Sequence, residues 1–333
     1  MLTSDLIERI LTQLPGKTIG LVGDLFLDRY FDIDATLDEP SIETGLTAYQ
    51  VTGVRSYPGA LGTVVNNLAA LGVGRIIPIS IIGDDGEGYE LLQALAKLPA
   101  VDRSNIIRSD ERRTPTYTKP MLCEGGIVRE LNRLDIKNRS TTPVDLQKRI
   151  GHRLAELWPE FDALLVLDQV SEAECGVITA HLRDFIGAGA EHSPLFVLAD
   201  SREWIGKFRN LCVKPNASEA ERWVPGGDPR KLAELVKGPV FLTRGEAGIA
   251  LAETGDSVTR TISAYPVSGP VDPCGAGDSC SAAIACAMAS GTSLEVAAAF
   301  GNLIASITVR QLGVTGTAPP DAVRARWREL EKP

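Results

Sequence analysis

Apolar residues recur at helical spacing through residues 2–14, LTSDLIERILTQL, and then the pattern changes. TIGLVGD, 18–24, is an unbroken apolar run closed by an aspartate, the pattern of a buried strand that ends in a polar loop. Residues 46–57 alternate imperfectly, as a partly exposed strand does. PGALGTVVNNLAALGVG, 58–74, opens on a turn signal and continues as a helix. RIIPISIIGDDG reads as strand then loop, and YELLQALAKL as helix. Strands alternating with helices predict an α/β fold: a three-layer sandwich with a mostly parallel central sheet.

The pattern differs at 116–135, TYTKPMLCEGGIVRELNRLD. Two extended stretches flank Gly125-Gly126, a hairpin signal, and Pro120 predicts an edge or bulged strand. Together with 31–57 these residues form either a small β lid over a cleft or an edge hairpin of the main sheet. Beyond them, 144–158 places Leu146, Ile150, Leu154 and Leu157 on one side of a helix. Strands are expected at 163–168, 195–200 and 211–216, with a helix near 172–186. VFLTRGEAGIALAE, 240–253, reads as two strands around a turn. Helices near 276–290, 293–310 and 321–331 close the chain. No internal repeat or linker interrupts it, so 1–333 is expected to be a single domain with the small sheet inserted.

Composition narrows the function classes. A 44% hydrophobic content over 333 residues supports a sizeable core. The net charge of -9, without a basic stripe, argues against nucleic-acid binding. Six cysteines lie scattered, none in C-x-x-C spacing, which favours a reducing compartment. Asp5 and Glu8 stand where a secretory leader would be basic and apolar, and no stretch reaches membrane-spanning length. A cytoplasmic location without membrane contact is the expectation. His152 and His181 fall in helices without zinc-site partners, and Cys280 and Cys286 read as compact packing residues.

The chemistry concentrates in VDPCGAGDSCSAAIACAMASG, 271–291. Gly275, Ala276 and Gly277 permit close backbone approach by a ligand, and a small-residue helix follows. Its first turn offers unpaired N–H groups to an anion. Asp278 stands beside them. It either receives the proton of an acceptor hydroxyl during phosphoryl transfer or caps the helix. GAGDSC lacks the third glycine of a dinucleotide fingerprint, and the G-x-x-x-x-G-K-[ST] phosphate loop is absent.

These motifs, in this order, resemble the ribokinase-like (PfkB-type) carbohydrate kinases over nearly the whole chain. LVGDLFLDRYF at 21–31, YPGALGTVVNNLAALG at 57–72 and IGDDGEG at 82–88 carry the first half of the resemblance. KPNASEA at 214–220, TRGEAGIAL at 243–251, VDPCGAGDS at 271–279 and FGNLIASITVRQLG at 300–313 carry the second. Within the family the chain is most similar to the domain that phosphorylates D-glycero-β-D-manno-heptose 7-phosphate. The resemblance implies an ATP-dependent kinase with Mg2+, and a K+ site at Asp272. It implies Asp278 as catalytic base and Gly275 to Gly277 as anion hole. Asp24 and Asp28 would face the sugar, with Asp24 the better candidate for hydroxyl contacts. Gly59, Thr63 and Arg133 would complete the sugar side. Asn216 and Glu219 would organise Mg2+ and phosphates, and Thr243, Gly245, Gly248 and Asn302 would line the nucleotide.

The sequence departs from the family pattern on the sugar side. P-G-G-A-A-N is here Pro58-Gly59-Ala60-Leu61-Gly62-Thr63. The S-D-Y-x-K-G and D-P-K-G motifs of the heptose kinases are replaced by Leu167-Asp168-Gln169-Val170-Ser171 and Ala199-Asp200-Ser201-Arg202. Cys274 replaces the threonine before GAGD. A sugar or sugar-phosphate kinase is therefore the leading expectation. A nucleoside or other small-alcohol kinase and a non-catalytic sugar- or nucleotide-binding protein stand as alternatives. The alternating lid pattern leaves an apolar face needing a partner, so a homodimer through the lid is expected.

Overall fold

The structure, a computed structural model, describes residues 2–331. Nine strands form one sheet in the order Arg260–Ile262, Ile249–Ala252, Val240–Thr243, Cys212–Val213, Phe196–Ser201, Ala163–Asp168, Thr18–Gly23, Arg75–Gly83, Ile106–Ser109. Neighbours are parallel except at the 240–262 end, where two pairs are antiparallel. The central strands are apolar throughout because both faces are covered, as Thr18–Gly23 and Ala163–Asp168 illustrate. One face packs Ser4–Gln13, Leu61–Leu71, Ala276–Ala289, Leu294–Thr308 and Pro320–Leu330. The other packs Val144–Leu157, Ala180–Glu191 and Pro229–Val236. Ala276–Ala289 fits tightly because its buried positions are almost all alanine, serine or cysteine, Cys280 and Cys286 among them.

The chain leaves Thr18–Gly23 to build a second sheet before returning to the first. Its strands are Leu25–Asp34, Val51–Ala60, Thr116–Glu124, Ile127–Glu130 and Leu134–Ile136. This is the small sheet expected from 31–57 and 116–135, and it begins nearer the main sheet, at Leu25. Leu25–Asp34 is amphipathic: Arg29 reaches Glu90 of the helix Gly86–Leu95, while Asp28 and Tyr30 share the opposite face.

Two expectations are corrected. Thr116–Glu124 is an interior strand, parallel to Leu25–Asp34 on one side and antiparallel to two short strands on the other. Pro120 is tolerated because it lies between those two, where its carbonyl accepts from Leu131 N–H and no ladder donor is required. The helix expected near 172–186 starts only at Ala180. The residues before it are drawn into a loop around Asp24, whose carboxylate accepts N–H bonds from Gln169, Val170 and Val177 at 2.7–3.1 Å.

Sheet order reverses at Thr18–Gly23, which lies between Arg75–Gly83 and Ala163–Asp168. Open α/β sheets bind ligands in the crevice above such a reversal, at the carboxyl ends of the strands. The small sheet leaves the main one at this point.

Candidate active site

Gly275 adopts the left-handed conformation, φ 75°, as the residue before the helix Ala276–Ala289. A side chain there would be strained and would press on Thr315, 3.2 Å from its Cβ. The first turn that follows carries Asp278, half-buried, with no hydrogen bond to its carboxylate among the described residues. The residue is thus not a side-chain cap. Burial pushes its pKa up to about 7; Asp200 reinforces this, and Lys214 and Arg202 oppose it.

Lys214 and Asp200 sit under this turn. Lys214 ends the buried Cys212–Val213 strand and pairs with Asp200 at 2.9 Å. Burial works against its charge, but Asp200 outweighs burial and holds the ammonium above the usual lysine range. Asp200 also accepts from Ser281 Oγ at 3.0 Å. Lys214 Nζ lies 3.7 Å from where a Cβ on Gly277 would stand, so the cation lies directly against the Gly275–Gly277 turn. Sequence reasoning missed both residues. A lysine at the end of the apolar run LCVK was the available signal, because a buried lysine needs a carboxylate.

Asn216 and Glu219 form a reciprocal cap on the short helix Ala217–Glu221. Asn216 Oδ1 accepts Glu219 N–H at 2.9 Å, and Glu219 Oε2 accepts Asn216 N–H at 2.8 Å. Burial, with Asp200 nearby, raises the Glu219 pKa. Asp200 thus influences both Glu219 and Asp278, with Lys214 as the main compensating cation, and no three such side chains among the described residues converge as a ready-made metal cage. Oxygen donors in excess over positive charge fit Mg2+, which is held through a few carboxylates and waters.

Thr243 joins this wall through its N–H and Oγ1, both donating to Pro215 O. Gly245 and Gly248 flank the turn between the strands ending at Thr243 and starting at Ile249. Asn302 is buried, and its amide donates to Ile262 O and Ser263 O, fixing the next strand rather than an open pocket. Asp272 accepts N–H bonds from Cys274 and Gly313, which hold its pKa low. Its carboxylate ties the anion-hole loop to residue 313.

On the small-sheet side, Asp28 rather than Asp24 lies in the cleft, within electrostatic reach of Asp278. Asp24 is 3% exposed and consumed by the 169–177 loop. Asp28 is half-buried; burial raises its pKa, and Lys119, Arg133 and Arg202 pull it back. A Cβ on Gly59 would stand 2.6 Å from Asp28 Oδ2, so any side chain there would push the Asp28 carboxylate out of its present position. Arg133 pairs with Asp135 and stacks over Tyr117 at 4.2 Å, on the Asp28 face of the lid. Thr63 is buried within Leu61–Leu71 and is not presented to the cleft. Arg202, noted in the sequence only as a departure, donates Nε to Gln169 Oε1 at 2.9 Å.

Ala60 occupies φ 53°, ψ -117°, a region suited to glycine. Such strain costs about 1–3 kcal/mol. Ala60→Gly should therefore stabilise the protein by about 1 kcal/mol after glycine's own entropy cost. Chemical denaturation of both proteins checks this, and a lower midpoint for the variant would exclude strain at this residue.

The profile of the pfkB family carbohydrate kinases matches residues 166–321. The chain is 30% identical over 333 residues to the "Bifunctional protein HldE" of Trichlorobacter lovleyi, covering 96% of this chain. It spans 65% of that relative's length. Among solved structures it resembles Arabidopsis thaliana ribokinase complexed with ribose and ATP, with a TM-score of 0.66 and 17% identity over 93% of this chain and 98% of the other. It also resembles Escherichia coli phosphofructokinase-2 in complex with potassium, with a TM-score of 0.68 and 18% identity over 95% and 100%. These likenesses establish the ribokinase-like fold. No helix among the described residues is long and apolar enough to cross a membrane.

Proposed function

We propose that this domain transfers the γ-phosphoryl group of MgATP to a hydroxyl of a sugar or sugar phosphate. The observation that carries this reading is an unbonded aspartate, Asp278, raised to about 7 in the first turn of a helix and beside the Lys214–Asp200 pair. Asp278 takes the acceptor proton. The N–H groups of Gly275 and Gly277 and the Lys214 ammonium face the charge that develops on the transferred group, whereas the Ala276 N–H is held by Pro273 O. Asp28, Gly59 and Arg133 position the sugar. Thr243, Gly245 and Gly248 border the nucleotide, with Asn302 holding the backbone behind them. Heptose 7-phosphate is the finer expectation, supported by the relatives named HldE. A panel of sugars, sugar phosphates and nucleosides, scored for acceptor-dependent ADP release, tests the reading; ADP release with none of them would overturn it.

Asn216 and Glu219 are the residues that would hold Mg2+, which supplies charge neutralisation on the phosphates. Glu219→Ala should raise the Mg2+ concentration needed for half-maximal turnover by about tenfold, the worth of one charge-assisted contact. Acceptor affinity should stay within twofold, and an unchanged Mg2+ requirement would remove Glu219 from this role. A K+ ion at Asp272 belongs to the same reading, tested by exchanging K+ for Na+ in the assay.

The lid leaves Val51, Val54, Ile127, Val128 and Leu134 exposed, which supports a homodimer through this sheet. Light scattering at micromolar concentration should give twice the chain mass, and Val54→Asp should shift it toward monomer.

A further inference from the structure

A groove of about 520 Å³ runs from Asp28 down the side of the molecule. Its volume lies within the range of small-molecule sites, ~300–1,000 Å³. Four segments wall it, one of them the apolar stretch Leu98, Pro99 and Ala100. The lid contributes Asp28, Tyr30, Arg55 and Tyr57; the helix Leu61–Leu71 contributes Asn66, Ala69 and Ala70; and Val314 with Thr315 and Thr317 closes the far side. Asn66, Ala69 and Ala70 stand at i, i+3 and i+4, so they form one face of that helix. From the helix start beside Gly59 to Ala70 is roughly 13 Å at 1.5 Å per residue. A single sugar ring seated at Gly59 cannot fill that length.

The lining chemistry limits the occupant. Arg55 is the sole cation lining the groove, and Asp32 already pairs with it at 2.7 and 2.9 Å. Arg55 stacks over Tyr30 at 5.0 Å, and Tyr30 meets Tyr57 edge-to-face at 5.9 Å. Lys119, behind Tyr30, donates to the Tyr30 hydroxyl at 3.0 Å and faces the charge of Asp28, so neither cation is left free for a phosphate in the groove. The groove offers aromatic rings, an alanine floor, and the amide and hydroxyls of Asn66, Thr315 and Thr317. That set suits a neutral ring with polar edges. The groove is also continuous with the reaction site at both walls. Asp28 belongs to both, and Thr315 packs against Gly275 of the anion hole.

We propose that this groove is an acceptor subsite for a neutral, ring-bearing substituent, so that a sugar carrying a second ring binds more tightly than its methyl counterpart. The proposal rests on the kinase reading for placing the sugar ring at Asp28 and Gly59.

Binding can be measured without turnover. Calorimetry would compare phenyl glycosides of both anomers and 6-O-benzyl ethers of glucose, galactose and mannose with their methyl counterparts. At least one ring-bearing compound should bind tenfold or more tightly than its methyl match. Ala70→Phe, which fills the groove from the helix side, should abolish that advantage and leave methyl-compound affinity and melting temperature unchanged. Val314→Trp, on the exposed opposite wall, gives the same test should Ala70→Phe fold poorly. Equal affinities for every ring-bearing and methyl pair, undetectable binding of both included, would overturn the subsite. So would a retained advantage in a folded, filled variant. Absence of phosphorylation across all acceptors would instead count against the kinase reading, with the binding preference still measured.

Discussion

Asp278→Asn should lower turnover about 10²–10⁴-fold at saturating acceptor and MgATP, the usual worth of general-base assistance. Asparagine keeps the size of the side chain and removes its capacity to take a proton. ATP affinity should change little, since Thr243, Gly245 and Gly248 lie on another wall. The wild-type pH profile gives an independent check. With the carboxyl raised to about 7 by burial and by Asp200, kcat/KM should fall about tenfold per pH unit below that value and level off above it. Stability should move the other way. A carboxyl titrating near 7 in the fold and at about 3.9 in the unfolded chain costs stability as pH rises through that interval. Asp278→Asn should therefore melt no lower than wild type at pH 8, and any gain should close toward pH 4. An inactive variant that also melts early would point to misfolding. Near-wild-type turnover would remove Asp278 from the chemistry.

Lys214→Met should be the most destabilising change in the site. Lys214 is 3% exposed, and its removal strands Asp200 without its cation. Breaking a buried ion pair from one side costs about 3–5 kcal/mol. For a chain of this size that is a fall of roughly 5–10 °C in melting temperature. The double variant Asp200→Asn with Lys214→Met removes the stranded charge and should recover most of the loss. It should not recover turnover, because the cation beside Gly277 is still missing. Stability that stays low in the double variant would mean that Lys214 acts through packing alone. Turnover that returns with stability would deny the ammonium a role at the anion hole.

The elements that the sequence made legible share one property: each is decided by neighbours close in the chain. The helix Ser4–Gln13 follows from apolar spacing and Thr3 at its cap. Thr18–Gly23, Arg75–Gly83 and Ala163–Asp168 follow from unbroken apolar runs. The reciprocal cap of Asn216 and Glu219 is an N-x-x-E pattern three residues long. The position of Asp278 in a first turn follows from the glycines before it. What failed was decided by distant residues. The helix after Ala163–Asp168 starts late because Asp24, 145 residues upstream of Gln169, captures the intervening backbone. That same capture withdraws Asp24 from the cleft and leaves Asp28, two turns of alternation along the next strand, as the aspartate that lines it. Pro120 looked like an edge signal because its missing N–H is local, whereas the gap that accommodates it is made by Leu131.

By itself the sequence determined the layered α/β class, the inserted sheet, and a phosphate-ready turn at Gly275 to Asp278, all through short-range periodicity, turn chemistry and backbone steric freedom. The tertiary structure alone decided which charges meet. Lys214, Asp200, Glu219 and Asp278 come from three separated segments, and their pairing sets the proton affinity of the base. Coulomb interaction and burial depend on distance in space and on the protein packed around a group, neither of which is written in residue spacing along the chain.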